Sequence, residues 1–148
     1  MIRRQQTISQ ALKRQHELIE KLMLQNPSVY KGFGREIVLS FTFGGFKYSD
    51  GSTDTQKKID NGEYKSIEDF DSYHTADIEF EDLYAGDEIE RYREATKNNL
   101  ITIGKFWRNK IERDYPDADI TIIIHQNDGE WFLDTFNYSN SITGGIYL

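Results

Sequence analysis

The chain has no cysteine. Disulfides, thiolate nucleophiles and cysteine-held metals are therefore excluded. Proline is nearly as scarce, with two in 148 residues, and no proline-rich linker divides the chain. Long apolar runs are missing too. No stretch approaches the ~18 consecutive apolar residues that a membrane span needs. The opening MIRRQQTISQALKRQ carries bases but no apolar run after them, so it does not read as a secretory signal. These absences predict a soluble, cytoplasmic, single domain spanning residues 1–148, with no membrane partner. Glycine-rich phosphate loops are absent as well, with neither GxxxxGK[ST] nor GxGxxG present. Gly32-Phe33-Gly34-Arg35 and Gly44-Gly45 read as turns or bulges. Asp50 to Asp54 resembles the start of a calcium loop, but Thr55 stands where glycine is needed and Asn61 where glutamate is needed. No cofactor and no metal are expected.

What the chain does have is aromatic bulk and unevenly placed charge. Aromatic residues make up 14% of it, enough large rings to argue against disorder. Net charge is −7. Residues 1–59 hold ten bases against five acids, and residues 91–148 hold seven against eight. Residues 60–90 hold one base, Lys65, against twelve acids. The acidity is thus concentrated in about a fifth of the chain. That same segment carries Phe70, Tyr73, Ile78, Phe80, Leu83 and Tyr84.

Periodicity organises the rest. Thr7-Ile8-Ser9-Gln10 has the form of a capping box, and Ile8, Leu12, Ile19, Leu22 and Met23 follow at helical spacing. Gln15 interrupts that stripe. Asn26-Pro27 ends it, which predicts a helix over 8–25. Residues 36–43 are rich in β-branched and aromatic types and predict a strand, with 46–48 as a bent continuation. Turn signals across 49–62 predict a loop. In 76–83, Ile78, Phe80 and Asp82 alternate with Asp77, Glu79 and Glu81, which predicts a strand. Asp87 is placed to cap a helix over 88–114, where Ile89, Tyr92, Thr96, Leu100, Ile103, Trp107 and Ile111 form one stripe. Such a helix is about 40 Å long, and Asn98-Asn99 or Gly104 could kink it. Residues 119–126 and 130–138 predict two strands joined by the turn Asn127-Asp128-Gly129. Residues 139–145 read as loop, and Ile146-Tyr147-Leu148 as a packed or strand-forming end. The order predicts an α+β domain with two helices packed on a mainly antiparallel sheet.

Chemistry-bearing residues are present but dispersed. His16 reads as a surface side chain, and His74 as a locally hydrogen-bonded one. A two-residue turn at Asp128-Gly129 sets His125 opposite Phe132 and Ile123 opposite Asp134. His125 and Asp134 then share a face, the best histidine–carboxylate pair available for acid–base work. No serine, metal triad or second base accompanies them in sequence. Asp77, Glu79 and Glu81 could hold magnesium, as in many nucleases, but one lysine in the segment leaves nothing to offset phosphate repulsion. Arg3, Arg4, Lys13, Arg14 and Lys21, with Arg108, Lys110 and Arg113, offer a basic patch. The −7 total weighs against nucleic acid as a partner.

The expected function is therefore non-enzymatic binding of a cationic protein. Carboxylates steer a basic partner at long range, and desolvated rings supply grip. The residues expected to meet it are Asp71, Tyr73, Asp77, Glu79, Glu81, Asp82 and Tyr84. No catalytic residue is assigned. A small, acidic, cysteine-free α+β chain with an aromatic hairpin, here Asp128-Gly129-Glu130-Trp131-Phe132-Leu133-Asp134, resembles the bacterial immunity proteins. That resemblance is one of overall character and transfers no residue roles. It implies a protein that neutralises a cognate toxin, often a basic nuclease, by binding and occluding it. The alternatives are a metal-dependent hydrolase or nuclease using the clustered carboxylates with His125, and a structural or regulatory subunit.

Overall fold

The computed structural model describes residues 7–39, 55–74, 76–79 and 86–148. The fold is α+β. It begins with α1 (Ile8–Met23), closed at its start by the expected capping box. Thr7 Oγ1 accepts from the Gln10 N–H, and the Gln10 side chain accepts from the Thr7 N–H. Ala11, Gln15, Ile19 and Leu22 form its buried stripe. Gln15 is therefore part of the packed face, where sequence made it an interruption. Its amide donates to Thr96 Oγ1 at 2.7 Å, and Asn99 donates to its carbonyl.

Those bonds join α1 to α4 (Ile89–Asp114), the longest element. Further along both helices, Lys110 Nζ reaches the Gln25 carbonyl and Asn26 Oδ1. Low numbers meet low and high meet high, so α1 and α4 run side by side in the same direction. The buried face of α4 comprises Tyr92, Thr96, Leu100, Ile103, Gly104, Trp107 and Ile111. That is the expected stripe without Ile89, and with Gly104 in it. The helix runs through Asn98-Asn99 and Gly104 without a break. Gly104 serves close packing instead: a Cβ there would sit 2.2 Å from Leu148 and 3.2 Å from Leu133. The cap residue is Glu88 rather than Asp87, and its side chain makes no capping bond.

Between the two helices, β1 (Ser28–Gly32) and β2 (Arg35–Leu39) pair antiparallel as a separate hairpin. Two positive-φ residues, Phe33 (53°) and Gly34 (77°), make its turn. That is the tight-turn geometry matching strand twist, although a phenylalanine is a poor occupant of it. The second sheet contains β3 (Ala76–Glu79), β4 (Thr121–Asn127), β5 (Glu130–Phe136) and β6 (Ile146–Tyr147), in the order β3-β5-β4-β6. All its pairings are antiparallel. Asp128 and Gly129, both at positive φ, form the β4–β5 turn as expected.

Two helices appear where sequence gave loop or an unassigned segment. Thr55–Asp60 is α2 and Ile67–His74 is α3, so the domain carries four helices among its described residues rather than two. The core is one contiguous cluster. It gathers Leu22, Ile37, Leu39, Phe70, Leu100, Ile103, Trp107, Ile122, Ile124 and Leu133 from α1, α3, α4 and both sheets. The expected strand residues 40–43 and 46–48, the loop at 49–54, and the strand end at 80–83 lie outside the described residues.

Candidate functional site: an acidic segment anchored from beneath

In α3 and the approach to it, Tyr64, Ile67 and Phe70 are buried. Phe70 takes Tyr64 and Tyr30 edge-on, with ring centroids 5.3 and 6.2 Å apart. The outer side of the segment is charged. Asp60, Glu63, Glu68, Asp87, Glu88 and Glu90 are all exposed, as is Lys65. The start of α3 is capped by Ser66, whose Oγ accepts from the Asp69 N–H, and Glu68 and Asp69 suit its positive end. For these residues the apolar side lies inward and the carboxylates outward. The large exposed hydrophobics among the described residues are Leu24, Phe33, Phe106, Ile146 and Tyr147, none from this segment. Its described face is thus charge without rings.

One expected partner-facing carboxylate departs from that pattern. Asp71 is 1% exposed and faces the interior, so it does not belong to the outward face. Asn137, 2% exposed, gives it two hydrogen bonds, one from the backbone N–H and one from Nδ2. The Asn137 amide also clasps Val38 of β2. Its Oδ1 accepts from the Val38 N–H at 2.8 Å, and its Nδ2 donates to the Val38 carbonyl at 3.1 Å. Burial pushes the Asp71 carboxyl above the ordinary carboxylate range; the bonds from Asn137 and the charge of Arg35 pull the other way, and Glu68 adds to the rise. The Tyr138 phenol is raised too, first by burial and then by Asp71 and Glu68. The helical spacing of Tyr64, Ile67 and Asp71 is the signal that could have placed Asp71 inward.

The other expected contact residues are only partly placed. Tyr73 lies in the last turn of α3. Asp77 and Glu79 lie on β3, at register positions opposite Asp134 and Phe132 of β5. Glu81, Asp82 and Tyr84 lie outside the described residues.

The histidine–carboxylate pair forms as the turn geometry requires. Ile123 pairs with Asp134, and His125 with Phe132. His125 Nε2 lies 2.6 Å from Asp134 Oδ2, with the imidazole stacked on Phe132 at 5.5 Å. Both side chains are largely but not fully covered, at 23% and 16% exposure. Among the described residues, no group of three or more His, Cys, Asp or Glu is arranged to hold a metal ion. His16 pairs with Glu20 on the exposed side of α1.

Beside the β1–β2 hairpin lies an open groove of about 630 Å³, lined by Lys31, Gly32, Gly34, Arg35, Glu36 and Asp117. Its two cations and two acids offset one another, and Arg35 is already bonded to Asp119 at 3.0 Å. No helix among the described residues is long and apolar enough to cross a membrane. The chain matches no family model, and neither a curated protein nor a solved structure is detectably similar to it.

Proposed function

We propose that the protein is a non-enzymatic binding protein whose acidic segment captures a cationic protein. The particular reading is an immunity protein that neutralises a basic toxin, such as a nuclease, by occluding its substrate site in the cytoplasm. One observation carries this: between residues 60 and 90 six described carboxylates and one base are exposed, while Tyr64, Ile67 and Phe70 of the same segment are buried. Carboxylates held on a packed support keep a fixed charge pattern, which raises association rates with a basic partner. The net charge of −7 opposes binding to nucleic acid. Rings that exclude water at the contact fall to Tyr73 and Tyr84 in this reading, because Tyr64 and Phe70 are committed to the core.

The test is co-expression with a cationic toxin encoded beside this gene, followed by measured binding of the purified pair. Protection is expected, with affinity falling steeply between low salt and about 0.5 M. The combined Asp60→Asn, Glu63→Gln, Glu68→Gln, Asp77→Asn, Glu79→Gln, Glu81→Gln, Asp82→Asn variant should lose capture. Full affinity in that variant would sink the acidic-face reading.

The 2.6 Å contact between His125 and Asp134 favours a second reading, metal-dependent hydrolysis by the clustered carboxylates with His125 as the acid–base group. Calorimetry with magnesium or manganese separates the two. Metal binding that disappears in His125→Ala would support hydrolysis, and no heat at millimolar metal would count against it.

A further inference from the structure

The Asp71–Asn137–Val38 cluster is an expensive way to hold a helix. A carboxylate that is 1% exposed has given up its hydration, and that loss outweighs what its neighbours return. Leucine-sized side chains at the same place would hold α3 without it. What the polar cluster adds is position. The Asn137 amide fits one way round only, since Oδ1 faces the Val38 N–H while Nδ2 serves the Val38 carbonyl and Asp71 Oδ1 together. Flipping it would set donor against donor at Val38 and acceptor against acceptor at Asp71. Three elements far apart in sequence, β2, α3 and the end of β5, are thereby fixed at one point.

The geometry points to a positioning latch: Asp71 and Asn137 set where α3 docks on β2 and β5, and removing either lets the acidic segment open as a unit while α4, β4 and β5 stay folded. The latch deepens the recognition reading and depends on it only for its effect on binding. It makes Asn137, a buried and uncharged residue, a determinant of how the carboxylates are presented.

Native-state hydrogen exchange on the full chain tests it. In Asn137→Ala, amides of α3 such as Phe70, which bonds the Ser66 carbonyl, should exchange at least about a hundredfold faster, as a local opening would allow. Amides of Leu100, Ile124 and Leu133 should exchange only by global unfolding, at least about a hundredfold more slowly than α3 in the same variant and with a steeper denaturant dependence. Asp71→Asn, which turns one acceptor into a donor facing a donor, provides the same contrast if the first variant does not fold. Exchange of α3 at the same free energy and denaturant slope as Leu100, Ile124 and Leu133, or an unchanged α3 in the folded variants, overturns the latch. Binding is read separately. If α3 opens in Asp71→Asn and capture of the cationic toxin weakens, both readings gain support. If α3 opens and capture is untouched, the latch stands and recognition through this segment falls.

Discussion

Two side-chain amides clasp the β1–β2 hairpin in the same way, from its two sides. Gln56 of α2 accepts from the Lys31 N–H at 2.9 Å and donates to the Lys31 carbonyl at 2.8 Å. Asn137 does the same to Val38. Each amide stands where a neighbouring strand would place a peptide group, and each satisfies edge groups that would otherwise invite pairing. The surroundings differ. Gln56 sits at the surface, and its spare N–H goes to Asp60 of its own helix. Asn137 is buried, and its spare N–H goes to a buried carboxylate. At the surface, water can replace a lost clasp. In the interior, nothing replaces it, and a charge is stranded as well.

The largest effect should come from breaking the buried clasp. Asn137→Ala should cost about 2–4 kcal/mol in chemical denaturation, because Asp71 loses its Nδ2 donor and both Val38 backbone groups lose their partner, while the residue-137 backbone N–H stays on Asp71. Next is Asp71→Asn, at about 1–3 kcal/mol, with a distinctive pH signature. The folded Asp71 carboxyl holds its proton more tightly than its ordinary value of 3.8. Its contribution to stability is full below about pH 4 and is lost as pH rises through the higher folded value. Wild-type stability should therefore decline relative to Asp71→Asn as pH rises from about 4, and then run parallel to it. Arg35, Glu68 and Tyr138 surround this carboxyl and remain in both proteins. A constant difference across pH would show that Asp71 does not titrate abnormally. Gln56→Ala should cost only about 0.5–1 kcal/mol, with no pH signature. Equal losses from the two amide variants would remove the contrast between them. The smallest expected change is a gain. Phe33 holds a φ of 53° and is 40% exposed, so Phe33→Gly should stabilise by about 0.5 kcal/mol in thermal melts.

Much of this architecture was legible from local rules. The capping box at Thr7, the α4 stripe and the His125–Asp134 diagonal each follow from a short-range period or a known turn. Long-range polar pairing was not legible. Gln15 interrupted a stripe in sequence because its partners, Thr96 and Asn99, lie more than eighty residues away. Asp71 read as surface charge for the same reason. Its helical spacing with Tyr64 and Ile67 pointed inward, but nothing nearby announced Asn137. Asn137 in turn continues the inward alternation of Leu133 and Thr135. The β1–β2 turn was readable at Gly32-Phe33-Gly34-Arg35, but β1 was missed because Ser28–Gly32 is a short run without clear alternation just after the Asn26-Pro27 helix stop. The α2 helix, six residues long, lay among turn-forming residues that outweighed its own pattern. Of the candidate site, the exposed acids at 60, 63 and 68 were readable as surface charge. The inward carboxylate beneath them was not.

The two tryptophans sit against opposite halves of α4. Trp107 belongs to the helix itself, is fully buried, and has Lys110 Nζ 5.1 Å from its ring centre. Trp131 lies on β5, half-covered, with Lys97 Nζ at the same distance. The chain therefore carries two native optical probes in unlike dielectrics. Trp107 should emit towards the blue and resist external quenchers, while Trp131 should emit further to the red and be quenched by iodide. Selective excitation towards the red edge separates them without any label. Unfolding of the inner half of the helix and loosening at the hairpin end can then be followed as two colours in one cuvette.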